Sequence, residues 1–196
     1  MNMAELLIEV YAITNRPDLV DRTSSAIRAA TLKLHQSDYF YKDLFESGVV
    51  FSAPAFLQQL EYRTLFPRWR ALKYIRKSDI NASQTGKILD IITPDEVLDD
   101  YGCNRNDVCY GGGEVINIRS STELQYVFIG MYNNPDITAL GYNSWIATDN
   151  PWAIIYEAAA QIFKSIGKTE EWNAATLNAR EQKQALLVSN TLLQGY

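Results

Sequence analysis

The chain has 196 residues and a formal net charge of -5, with 47% hydrophobic and 21% charged residues. That is enough apolar content for a packed core, which sets intrinsic disorder aside. The acidic balance argues against a protein that wraps nucleic acid, because such binding needs a basic surface to displace counterions from phosphate. No apolar run approaches the roughly 20 residues of a membrane span. The early Glu5 does not suit a signal peptide, and two cysteines, Cys103 and Cys109, suit a reducing cytoplasm better than a disulfide scaffold.

Both ends of the chain read as helix and the middle as strand. Residues 4–13 carry Leu6, Leu7, Val10 and Ile13 on one side. Asn15 and Pro17 read as the cap and first turn of a second helix, along which Leu19, Thr23, Ile27, Ala30 and Leu34 recur at helical spacing. The aromatic stretch 38–45 reads either as a loop pinned by its rings or as a contact with a neighbouring chain. Pro67 divides 57–77 into two strands, 57–66 and 71–77, and 88–92 reads as another. Thr93, Pro94 and Glu96 form a helix-start signature, for a short helix ending at Gly102.

Gly111, Gly112 and Gly113 lie between two β-prone runs and predict a hairpin. A phosphate-binding loop would need a helix directly after the glycines, and β-prone residues follow instead. Residues 124–132 form a further strand, apolar on both faces, which predicts that it needs a neighbouring subunit as cover. Asn150 and Pro151 start the C-terminal helices. Their stripe runs through Ile155, Ala159, Ile162, Phe163 and Ile166, breaks at Gly167, and continues through Trp172, Ala175, Ala179, Gln182 and Leu186. The fold class is therefore α+β: a helical bundle from the N- and C-terminal helices with a central antiparallel β insert. We read one domain, 1–196, with helices in 4–47 and 149–196 and the β-rich insert over about 50–135.

The candidate chemistry is thin. Asp95, Glu96, Asp99 and Asp100 are a carboxylate cluster of the type that glycosidases use in pairs, and carboxylates on one exposed short helix are more often solvated. His35 is the only histidine and no serine stands in Gly-x-Ser-x-Gly, so a Ser-His-Asp triad has little support and His35 reads as a capping or packing residue. A Cys-x5-Cys pair without a nearby histidine is not a zinc spacing. No catalytic residue, cofactor or metal is expected. Arg63, Arg68, Trp69, Arg70, Lys73, Arg76 and Lys77 make the one basic, aromatic-interleaved stretch. It suits single-stranded nucleic acid or an acidic partner subunit, and in an acidic chain the subunit contact is the favoured reading.

Four stretches carry a resemblance over nearly the whole chain: Ile13-Thr14-Asn15-Arg16-Pro17-Asp18-Leu19; Phe66-Pro67-Arg68-Trp69-Arg70-Ala71-Leu72-Lys73-Tyr74; Asp107-Val108-Cys109-Tyr110 with its hairpin; and Pro151-Trp152-Ala153-Ile154-Ile155-Tyr156-Glu157-Ala158. With the order of elements, they resemble the head-to-tail adaptors (connectors) of tailed bacteriophages, in particular the tail tubular protein A class of short-tailed phages. The resemblance implies a structural, non-enzymatic virion protein in the tail or neck, made in the host cytoplasm. It implies a homo-oligomeric ring, usually dodecameric, between the portal protein and a tail nozzle or tail tube protein. Double-stranded DNA would pass through without specific binding, and no membrane is involved.

Two other readings remain: a head-completion protein of a long-tailed phage and an accessory cell-wall glycosidase. On side-chain chemistry, Tyr39, Tyr41, Arg68, Trp69, Arg70, Leu186, Leu192, Leu193 and Tyr196 are the candidate subunit or portal contacts. The segment 186–196 is expected to order only on the portal. Arg68 to Lys77 is expected to point into interfaces, and Asp95, Asp99 and Asp100 toward solvent or the channel.

Overall fold

The apolar stripes at the two ends of the chain pack against each other. The computed structural model describes residues 1–78, 86–99, 101–138 and 141–193, except for the side chains of Leu192 and Leu193. It divides into two compact units, Met1–Asp43 with Asn134–Tyr196, and Leu44–Asn133. The architecture is α+β, as expected.

The first unit is helical. It contains α1 (Met3–Thr14), α2 (Val20–His35), α4 (Trp145–Asp149), α5 (Pro151–Ser165) and α6 (Thr169–Leu193). Helix α5 is central and packs against the other four. Its Ile154, Ile155, Ala158 and Ile162 meet Leu6, Val10, Ile27, Ala30 and Leu34 in one buried cluster. Ala159 and Ala160 face Ala175 of α6, and these small residues let the two helices approach closely.

Two expectations are corrected in this unit, and a third holds in part. Asn15 does not start α2; it ends α1 in the left-handed conformation (φ 51°), which asparagine tolerates, and α2 begins at Val20. Asn150 holds the cap position of α5 before Pro151 as expected, but its side chain makes no capping hydrogen bond, and its amide instead donates to the Gln182 carbonyl (3.2 Å). The segment from Leu186 onward does not lack an intrachain partner. Helix α6 continues to Leu193, Leu186 lies in the core, and buried Asn190 ties α6 to the 38–41 turn.

The second unit is built on two long strands, β1 (Leu44–Leu60) and β5 (Val115–Asn133), paired antiparallel. A helical turn, α3 (Tyr62–Leu65), leads to β2 (Trp69–Ser78), which pairs with the second half of β5. The first half of β5 pairs with β4 (Val108–Gly112), and β4 pairs in parallel with the two-residue β3 (Asp90–Ile91). The sheet is therefore mixed, antiparallel apart from that short pair. The glycine run makes the predicted hairpin: Gly112 pairs with Val115 around a two-residue turn, and Gly113 takes the positive φ (71°) such a turn requires.

Three element boundaries differ from expectation. Strand β1 starts at Leu44, inside the stretch read as a loop, and ends before Tyr62. The β-prone run after the glycines and residues 124–132 belong to one strand, β5. The turn begun by Thr93 and Glu96 is a single turn of 3-10 helix, Pro94–Val97, which stops short of Gly102.

Strand β5 bends back on itself. The Tyr62 hydroxyl donates to the Gly113 carbonyl (3.1 Å), just before β5 begins. The Tyr62 ring also lies 4.8 Å from that of Trp69, which pairs with Asn133 at the other end of β5. One side chain thus reaches both ends of the strand. The bend is accommodated in β1 by register slips between Val50 and Leu57, around Pro54, which has no N–H for the ladder. Ile116 and Ile118 from one half of β5 share a core with Leu124, Val127, Ile129 and Met131 from the other.

The expected need for a neighbour over 124–132 is overturned. The strand is central, with β1 on one edge and β2 on the other, and none of its residues is exposed. Its second face is covered from within the chain. Tyr74 crosses over Gly130 to donate to Glu46, Arg76 also reaches Glu46 (3.0 Å) and lies over Phe128, and Tyr126 lies over Gly48. A Cβ on Gly130 would stand 2.5 Å from the Tyr74 ring. We therefore expect Gly130→Val to destabilise the protein by about 1–3 kcal/mol in urea denaturation. Tyr74→Phe, which keeps the ring, should lose less; equal stability of Gly130→Val and wild type would contradict this packing.

Candidate functional site

The candidate residues fall into two groups. In the helical unit, Tyr39 and Tyr41 are exposed (54% and 60%) beside buried Phe40. Their backbone is held by α6: the Tyr41 N–H donates to Asn190 Oδ1 (3.1 Å), and the Asn190 amide donates to Asp38 (2.9 Å). The turn is thus pinned, as one reading required, while the two tyrosine rings face outward, as the other did. Leu186 is a core residue, 5% exposed, and is not a surface contact. Leu192 and Leu193 close α6, with their side chains outside the description, and Tyr196 lies outside the described residues.

In the β unit, Arg68 is exposed, and Trp69 and Arg70 are half-buried. Trp69 stacks with Phe66 and Tyr62, and the Arg70 guanidinium lies 5.6 Å above the Tyr132 ring. The basic stretch does not act as a unit. Arg76 is bound to Glu46, and Lys77 to Asp107 (2.6 Å). The expectation that all of 68–77 points into interfaces therefore holds at most for its first residues. Alternation along β2 turns successive side chains to opposite faces, and acids from β1 and from just before β4 meet the later ones.

The expected carboxylate cluster is a surface turn. Asp95 and Asp99 are exposed, and Asp100 is outside the described residues. A side-chain hydrogen bond from Thr93 holds the Asp95 carboxyl below its usual range. Glu96 accepts from the Thr93 N–H (2.9 Å), and that bond does the same for Glu96. Asp99 accepts from the N–H groups of Tyr101 and Cys103. Each of these carboxylates is engaged in closing its own turn. Cys103 is exposed and Cys109 buried, both as free thiols, and burial pushes the Cys109 thiol up to about 12. Among the described residues, no three histidine, cysteine or acidic side chains are grouped to hold a metal ion, and no helix is long and apolar enough to cross a membrane.

The most densely connected polar chemistry lies at positions that carry little sign of it in the sequence. His35, at the end of α2, places Nδ1 2.8 Å from Asp43 Oδ1 and Nε2 2.9 Å from Ser144 Oγ. All three residues are buried, and the Trp145 indole N–H donates to the same Asp43 oxygen (2.7 Å). Connectivity alone makes this a Ser-His-Asp relay. Its setting is that of a structural cluster. Ser144 caps α4, accepting from the Ala147 N–H (3.4 Å), and is 5% exposed. The His35 ring meets Trp145 edge-on at 5.6 Å. A nucleophile must be reached by its substrate, and this hydroxyl is enclosed by its own helix start. His35 is the packing residue the sequence suggested; its two partners were invisible because they lie on separate turns, joined only by the fold.

A second ionic cluster centres on Asp107, which adopts a positive φ (60°). It accepts from Lys77, Lys87 (3.0 Å), the Ser120 hydroxyl, and both the hydroxyl and the N–H of Ser121. Burial would raise its pKa. The Lys77 contact, the Ser121 N–H and Lys87 outweigh burial and hold the carboxyl far below its usual range.

No protein-family model matches the chain, and no curated protein matches it in sequence.

Proposed function

We propose that this chain is a structural virion protein, a head-to-tail adaptor whose copies form a ring between the portal of a phage head and its tail and continue the DNA channel. The order of elements supports this reading: both chain ends build one helical unit, and the β unit is inserted between them. The observation that carries it is the surface of the β unit. With its core already filled, it still leaves Phe45, Val50, Phe56, Leu57, Leu98 and Tyr101 exposed, Tyr101 at 92%. Large apolar side chains left outside a complete core are what a subunit presents to its neighbours. The polar clusters around His35 and Asp107 act, in this reading, as internal ties.

The purified chain, alone and mixed with a phage portal protein, should assemble into rings visible by negative-stain microscopy. A protein that stays monomeric under both conditions and releases sugars from cell-wall material would overturn the proposal in favour of a hydrolase.

A further inference from the structure

The β unit carries two exposed patches of opposite charge on different segments. One is the tip formed by α3 and the turn after it. There, Arg63, Leu65 and Arg68 are exposed on a segment whose Tyr62, Phe66 and Trp69 rings pack together. Glu61, exposed at the start of α3, is the one acid at the tip, and from Tyr62 to Ser78 the sequence contains none. Arg63 lies over the Tyr62 ring, and neither Arg63 nor Arg68 forms an ion pair among the described residues. The other patch is the lobe between β3 and β4. It exposes Leu98 and Tyr101 beside the acids Asp95 and Asp99, which among the described residues bond within their own turn, and its one described cation, Arg105, lies near Glu96. An arginine-flanked apolar tip and an acid-flanked apolar lobe are complementary in both hydrophobicity and charge, and among the described residues neither makes an ion pair with the other.

We propose that the tip of one copy docks on the lobe of the next. This deepens the ring reading above and rests on it. Two different patches that complement each other make a head-to-tail contact, which repeats from copy to copy and closes when the rotation divides the circle. A single self-complementary patch would give only a two-fold dimer. Arginine over aromatic rings is favoured at the centre of such contacts. The facing charges also align the two copies and steer their encounter, so assembly should weaken as salt rises.

The test uses the full chain in two charge-reversed forms. The first, Arg63→Glu with Arg68→Glu, makes both patches acidic. The second, Asp95→Lys with Asp99→Lys and Tyr101→Lys, makes both patches basic. All five positions are exposed, and thermal melts check that each form is folded. Each form alone should fall at least tenfold in assembled fraction by light scattering. An equimolar mixture should restore assembly, because in an alternating array every tip again meets a lobe of opposite charge. If wild type forms rings and the folded variants form them equally well alone, the tip-to-lobe contact is wrong and the ring stands. If wild type forms no ring alone or with the portal, the ring reading itself fails. Rings lost in both forms and not regained on mixing would also overturn the contact, since they would show two unrelated surfaces.

Discussion

Replacing Asp43 with alanine should destabilise the protein by about 3–5 kcal/mol, a large share of the roughly 5–15 kcal/mol that holds a domain folded. One oxygen of Asp43 accepts from both His35 Nδ1 and the Trp145 indole. Removing it takes the acceptor from one buried and one half-buried donor, each costing up to about 1–3 kcal/mol. Asp43→Asn should lose less, because the amide oxygen can still accept. Ser144→Ala removes the partner of His35 Nε2 and the cap of α4 together and should cost about 1–3 kcal/mol. Urea denaturation measures all three. The result separates a structural cluster from a catalytic one: a structural cluster predicts coupled losses of stability across Asp43, His35 and Ser144. A Ser144→Ala protein as stable as wild type that had lost a hydrolytic activity would reverse the assignment.

Asp107→Asn should cost about 2–4 kcal/mol near neutral pH, through the lost ion pairs with Lys77 and Lys87. Asparagine tolerates the positive φ at this position, so the backbone stays while the charge and one acceptor oxygen are removed. The pH dependence has a definite sign. The folded-state pKa is depressed, so the carboxylate's contribution is complete above its unfolded value of about 3.9 and is lost as pH falls below it. The stability gap between wild type and Asp107→Asn should therefore be constant from about pH 7 to 5 and shrink steadily toward pH 2. A gap that stays the same at pH 3 would show that the ionised carboxylate is not what holds Lys77 and Lys87.

The helical unit was the more readable half. Helical periodicity requires only that a face be buried, and Thr23, Ile27, Ala30, Ile155 and Ile162 are buried as their spacing indicates. The ends were less readable, because Asn15 suits both a helix start and a left-handed helix end, and only the position of Leu19 and Val20 decides between them. In the β unit the hairpin was plain from its glycines. The face of residues 124–132 was misread for a specific reason. A run apolar on both sides looks the same whether its second face is covered by a neighbour or by its own chain, and the cover comes from Tyr74 and Arg76, far away in sequence. Gly130 is the mark in the sequence that a ring lies across the strand, and it acquires that meaning only once β2 is placed beside β5. The polar clusters were unreadable for the same reason: His35, Asp43 and Ser144 are brought together by the packing of α2, the turn after it and α4.

A cryo-electron microscopy reconstruction of the purified virion, with this chain fitted to the density, should show a ring of copies between portal and tail. Arg63 and Arg68 of each copy should face Leu98 and Tyr101 of the next, around a channel that grips no DNA. Density for the chain in a ring capping a long contractile or flexible tail would make it a head-completion protein. Its absence from the neck, or a channel lined by Arg68 and Arg70 against the duplex, would contradict the adaptor reading developed here.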